Sequence, residues 1–118
     1  DPAELKKKAA LFSRKLKNYF ATTKLRSVFI SVVETNDAVG GGTFPQSELK
    51  GYAVSLRLPE LGSAGRLAER LRLGSMPIVT GASDDRLLFH VRTMRANDEK
   101  LIISAFAEIF AAPSEQKG

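Results

Sequence analysis

The chain has 118 residues, of which 43% are hydrophobic and 26% charged, a balance that suits one globular domain with a core of modest size. Cysteine is absent and His90 is the sole histidine, which excludes disulfides and thiolate metal sites and makes metal chemistry unexpected. No apolar run approaches the roughly 20 residues of a membrane-spanning helix, and no apolar secretion signal opens the chain, so a cytoplasmic protein without a membrane partner is expected.

The formal net charge is +5, and its distribution is uneven. Residues 1–26 hold eight of the 18 Lys/Arg but only two of the 13 Asp/Glu. A basic face of this kind attracts phosphate-rich partners such as tRNA, while the solvated face of an ordinary helix produces the same pattern.

In chain order, Asp1-Pro2 reads as an N-cap and first helical position, followed by Leu5, Ala9, Phe12, Leu16, Tyr19 and Phe20 at helical spacing. This predicts a long amphipathic helix running to about Thr22. Its other face carries Lys6, Lys7, Lys8, Arg14, Lys15 and Lys17 and is expected to be in water. Ser27 to Glu34 is β-branched and aromatic, a buried strand. Residues 35–50 collect Asn36, Asp37, Gly40, Gly41, Gly42 and Pro45 and read as irregular. Tyr52 to Leu58 alternates as a strand with one buried face.

Ser63 is an N-cap for a short helix with Leu67, Ala68 and Leu71 inward, ending at Gly74. Pro77 to Thr80 and Arg86 to Arg92 read as two strands of a hairpin turning at Ser83-Asp84-Asp85. Asn97 is expected to cap a final helix with Leu101, Ile102, Ala105, Phe106, Ile109 and Phe110 as its apolar stripe. The order helix-strand-strand-helix-strand-strand-helix predicts an α+β fold, one domain over residues 1–118, with helices on one side of a mostly antiparallel sheet.

No nucleophile elbow, zinc-protease helix or phosphate-binding loop is present, so no catalytic residue is expected within these residues. Gly40, Gly41 and Gly42 permit close approach of backbone to a ligand and equally serve as a flexible connection. Arg92, read as lying at a strand end on the same face as His90, offers a planar fork for a carboxylate or phosphate and equally suits a surface ion pair. His90 reads as structural.

Three stretches taken together resemble a family: VVETNDAVGGGTFPQSELKGYAVSLRL (residues 32–58), RLAERLRLGSMPIV (66–79) and SDDRLLFHVRTM (83–94). They look like the C-terminal part of bacterial selenocysteine synthase, L-seryl-tRNA(Sec) selenium transferase. The matches are Gly40, Gly41, Gly42, Pro45, Arg86, Leu87, Leu88, Arg92 and Thr93. The resemblance implies the C-terminal small domain of a fold-type-I pyridoxal-phosphate enzyme that converts seryl-tRNA to selenocysteinyl-tRNA.

It further implies a large domain of the same polypeptide holding the cofactor and its Schiff-base lysine, a homo-oligomeric parent, and seryl-tRNA as a partner. The isolated chain is then expected to be inactive. By this resemblance Arg92 binds the substrate carboxylate and Gly40, Gly41 and Gly42 line the cleft. The chain departs from the family pattern at Val79-Thr80-Gly81-Ala82, which lacks an arginine, and at His90, where aspartate is usual. The alternatives are a divergent pyridoxal-phosphate relative acting as a lyase on a small amino acid, and a basic nucleic-acid-binding module.

Overall fold

The computed structural model describes residues 1–38, 48–75, 77, 78 and 80–111. Helix α1 spans Pro2–Phe20. The Asp1 carboxylate accepts the Ala3 N–H at 3.0 Å, and the fixed φ of Pro2 suits the first helical position. The helix stops at Phe20, short of the predicted Thr22. Thr22 and Thr23 hydroxyls turn back to donate to the carbonyls of Tyr19 and Phe20 at 2.6 and 2.7 Å, beside the backbone N–H groups of the same two threonines, which close the helix end on those carbonyls.

The strands are β1 (Phe29–Ala38), β2 (Glu48–Arg57), β3 (Gly81–Ser83) and β4 (Arg86–His90), and the further helices are α2 (Ala64–Arg72) and α3 (Asp98–Ala111). The strands form one antiparallel sheet in the order β1-β2-β4-β3. The α+β class and the element order follow the sequence reading. One buried cluster joins Phe12, Leu16 and Phe20 of α1, Leu67 and Leu71 of α2 and Phe106 of α3 to Val54, Leu56, Leu87 and Phe89. Val54 opposes Phe89 and Leu56 opposes Leu87, so these strand residues share a face; α1 and α2 pack on it, and α3 packs against those two helices.

Several boundaries move. The segment 35–50, predicted to be irregular, is strand at both ends, because the β1–β2 ladder pairs Asn36 with Lys50 and continues to Ala38 and Glu48. A partner strand outweighs the weak local propensity of Thr35 and Asn36. Gly40, Gly41, Gly42 and Pro45 lie outside the described residues. The first strand is not buried: β1 is a sheet edge, and Phe29, on the face opposite the helices, is 54% exposed.

The third strand is not Pro77 to Thr80 but Gly81–Ser83. Pro77 has no N–H to donate, Ile78 donates instead to the Leu71 carbonyl at the end of α2 (3.0 Å), and the Thr80 hydroxyl donates to Leu88 O at 2.8 Å. The turn itself is the two residues Asp84 and Asp85, both at positive φ (54° and 60°), the conformation that matches hairpin twist. Asp85 does more than turn the chain. Its Oδ1 accepts the Ala64 N–H at 2.9 Å while Ser63 Oγ accepts that of Arg66 at 3.1 Å, so the hairpin and the predicted cap share the start of α2.

Aromatic edges lock the layers together. Phe12 meets Phe89 at 6.0 Å and Phe20 meets Phe106 at 5.2 Å between ring centres, both nearly perpendicular. Phe106 is fully buried, and Phe106→Ala is expected to cost about 3–5 kcal/mol in urea denaturation. A loss below about 1 kcal/mol would mean that α3 is not part of the core.

A polar clamp joins the end of α2 to α3. The Ser75 hydroxyl donates to Glu108 Oε2 at 2.5 Å and the Ser75 N–H to Oε1 at 3.2 Å. The hydroxyl first, and the amide second, hold the Glu108 carboxyl below its ordinary range. A depressed folded-state value stabilises above the unfolded value and is lost as pH falls through the folded one. Ser75→Ala is therefore expected to raise the Glu108 titration midpoint and flatten the acid side of the stability profile, read by carboxyl NMR titration and denaturation at stepped pH. An unmoved midpoint contradicts the clamp.

Candidate functional site

After His90 the chain leaves the sheet through a 3₁₀ turn, Val91–Thr93, and enters α3 at Asp98. Arg92 thus lies in the turn and not at the end of a strand, which corrects the predicted β4 boundary and the alternation that placed it beside His90. Val91 drives the turn, since its side chain is fully buried and pulls the backbone inward. A turn this sharp leaves carbonyls without ladder partners, and they must be satisfied elsewhere.

Lys8 satisfies them. From α1 its ammonium donates to Val91 O at 3.0 Å and to Met94 O at 2.6 Å. The sequence reading placed Lys8 in water with the other lysines; the structure places it half-buried at the corner. Lys15, seven residues on and on the same helical line, reaches Glu99 at 2.7 Å. That spacing along the border of the apolar stripe was the available signal, but only the position of the turn reveals what Lys8 meets.

The rest of the corner is bonded within itself. The Thr93 hydroxyl donates to His90 O at 3.2 Å, the Arg95 N–H to Asp98 Oδ2 at 2.8 Å, and the Asp98 N–H to Arg95 O at 3.0 Å. Asn97 stands at the predicted cap position, its carbonyl accepting the Leu101 N–H at 3.2 Å, and the Asp98 carboxylate beside it holds the preceding turn. Arg92 Nη2 donates to Lys50 O at 2.7 Å. Lys50 lies in the part of β2 beyond its last pairing with β4, Ala53 opposite His90, so the guanidinium substitutes for a strand donor there. Of the predicted site residues, Arg92 is brought to the base of the β1–β2 hairpin, and Gly40, Gly41 and Gly42 are outside the described residues. A groove of about 530 Å³ runs alongside, bounded by Ile78, Thr80, Phe89, His90, Thr93 and Asp98.

A pyridoxal phosphate needs an amine in a dry cleft beside a phosphate cradle. Among the described residues Lys6, Lys7, Lys17, Lys24 and Lys100 are exposed, Lys8 is spent on carbonyls, and Lys15 and Lys50 face Glu99 and Glu34. The described residues do not fit that cofactor. They also contain no group of His, Asp and Glu side chains able to hold a metal ion, and no helix long and apolar enough to cross a membrane.

Replacing Lys8 with methionine removes the donor to Met94 O and leaves Val91 O with the Met94 N–H alone, while keeping the apolar stem. Lys8→Met is expected to destabilise by about 1–3 kcal/mol, against less than about 0.5 kcal/mol for Lys6→Met on the exposed face, by urea denaturation. Equal effects of the two would dismiss the Lys8 anchor.

Comparison with known proteins bears on what this corner serves. The family model described as SelA, L-seryl-tRNA selenium transferase, matches residues 1–95. The L-seryl-tRNA(Sec) selenium transferase of Aquifex aeolicus is 34% identical over 111 residues, 94% of this chain and 23% of that protein. The proteins of the same name from Caldanaerobacter subterraneus and Clostridium botulinum are 32% and 29% identical over 92% and 88% of the chain. This chain spans 22% and 21% of their respective lengths. With the family model matching residues 1–95 and the Aquifex aeolicus protein 34% identical over 94% of the chain, the chain belongs to the L-seryl-tRNA selenium transferase family.

Proposed function

We propose that residues 1–118 are the small C-terminal domain of a longer, cytoplasmic, pyridoxal-phosphate-dependent L-seryl-tRNA(Sec) selenium transferase, which converts seryl-tRNA(Sec) to selenocysteinyl-tRNA(Sec). The observation that carries this reading is the family match over residues 1–95 together with relatives of that name that align to nearly the whole chain. The cofactor and its lysine would lie on a larger domain of the same polypeptide, in a homo-oligomer, and this chain alone would be inactive.

Within that scheme the small domain contributes shape and an anchored cation. Arg92 is pinned through Lys50 O, and a fixed planar fork loses little further entropy on gripping a carboxylate. We assign it to the substrate side of the cleft, a role proposed also for Gly40, Gly41 and Gly42. Holding the guanidinium from β2 and the turn from α1 places a binding group on rigid elements, which binding geometry requires.

The test is the longer protein carrying this domain, assayed for selenocysteinyl-tRNA(Sec) formation. Arg92→Ala is expected to raise KM for seryl-tRNA(Sec) by about tenfold or more, with Arg92→Lys intermediate and the circular dichroism unchanged. An unchanged KM removes Arg92 from the site. Turnover of a free amino acid with no conversion of seryl-tRNA(Sec) replaces the transferase reading with that of a lyase on the same scaffold.

A further inference from the structure

The cations of α1 divide into two sets. Lys8 and Lys15 point to the corner and α3, whereas Lys6, Lys7, Arg14 and Lys17 are exposed. At 100° per residue the exposed set falls within an arc of about 100°, spread over about 16 Å of helix axis. The salt bridges among the described residues engage Lys15, Lys50, Arg57 and Arg72, so this arc carries uncompensated positive charge. The acids of the helix, Asp1 and Glu4, stand outside the arc.

The geometry points to the outer face of α1 as a docking surface for the phosphate backbone of an RNA double helix, with Lys6, Lys7, Arg14 and Lys17 as the phosphate contacts. A membrane surface fits poorly, because an interfacial helix must offer its apolar face to lipid and here Phe12, Leu16 and Phe20 are committed to the core. A protein partner fits poorly too, because lysine is depleted from protein interfaces and aromatic anchors are enriched; this arc holds small residues, Ala3 and Ala10, between its cations. Compact ammonium charges on flexible stems are instead suited to phosphates without base readout. The identification of that RNA as tRNA rests on the proposed function.

The test measures fluorescence anisotropy of a labelled RNA hairpin with the 118-residue chain between 50 and 200 mM salt. Neutralising about four phosphates is expected to give a log–log slope of about −3 to −4, roughly a hundredfold loss of affinity over that range. Lys7→Glu with Arg14→Glu should make the slope shallower by about 2, and the milder Lys7→Gln with Arg14→Gln should do likewise if the first pair perturbs folding. Arg72→Glu with Lys100→Glu changes net charge equally on other surfaces and should leave the slope near its original value.

Equal effects of the two charge reversals, or no binding at 50 mM salt, overturn the proposal, as does displacement by poly-glutamate as readily as by unlabelled RNA of equal charge. Failure of the transferase reading shows separately, as absent conversion of seryl-tRNA(Sec) in the longer protein, and leaves the hairpin titration unaffected.

Discussion

A single ammonium group fixes where this fold turns its last corner. Lys8 reaches from α1 to the carbonyls of Val91 and Met94, and a charged donor shared between two carbonyls is among the stronger bonds a small domain can make. Because it joins the first helix to the exit of β4, it sets the path into α3, and through α3 the position of Phe106 against Phe20. Arg92 depends on the same turn: only with the backbone leaving the sheet after His90 does its guanidinium come level with Lys50 O. The corner is thus tied from two sides, by α1 and by β2.

Much of this is legible in the sequence. The apolar spacing of α1, the Ser63 cap of α2 and the aspartates of the β3–β4 turn are local signals, and each appears where local chemistry places it. What was not legible depends on partners distant in sequence. Asn36 reads as a turn residue until Lys50 lies opposite; Phe29 reads as core until the strand order puts β1 at an edge. Pro77 to Thr80 reads as a strand by composition, yet the ladder with β4 starts at Gly81. Lys8 and Arg92 were misplaced for one reason, since both depend on a turn that begins a residue or two before the apparent end of a strand. The resemblance to a family came from motif order, and it carried function further than any single residue did.

The family assignment gives these features a common sense. On the proposed reading, a domain with an anchored cation and a charged outer helix, and without a cofactor pocket among its described residues, completes a site made elsewhere. The sheet is asymmetric in the same way. One face takes α1 and α2, with α3 against them, while the other presents Phe29, Ser31 and Arg57, with Arg57 5.4 Å over the Phe29 ring. An edge strand with an exposed aromatic is a liability for an isolated sheet, and here it accompanies a chain about a fifth the length of its relatives.

The decisive measurement is amide hydrogen exchange at Met94 and Asp98, whose N–H groups bond Val91 O and Arg95 O inside the corner. If Lys8 and Arg92 hold this segment without help from other polypeptide, both amides in the 118-residue chain exchange at least about a hundredfold more slowly than unstructured peptide. Exchange at the unstructured rate, with the amides of β2 still protected, would show that the corner is not built by these residues.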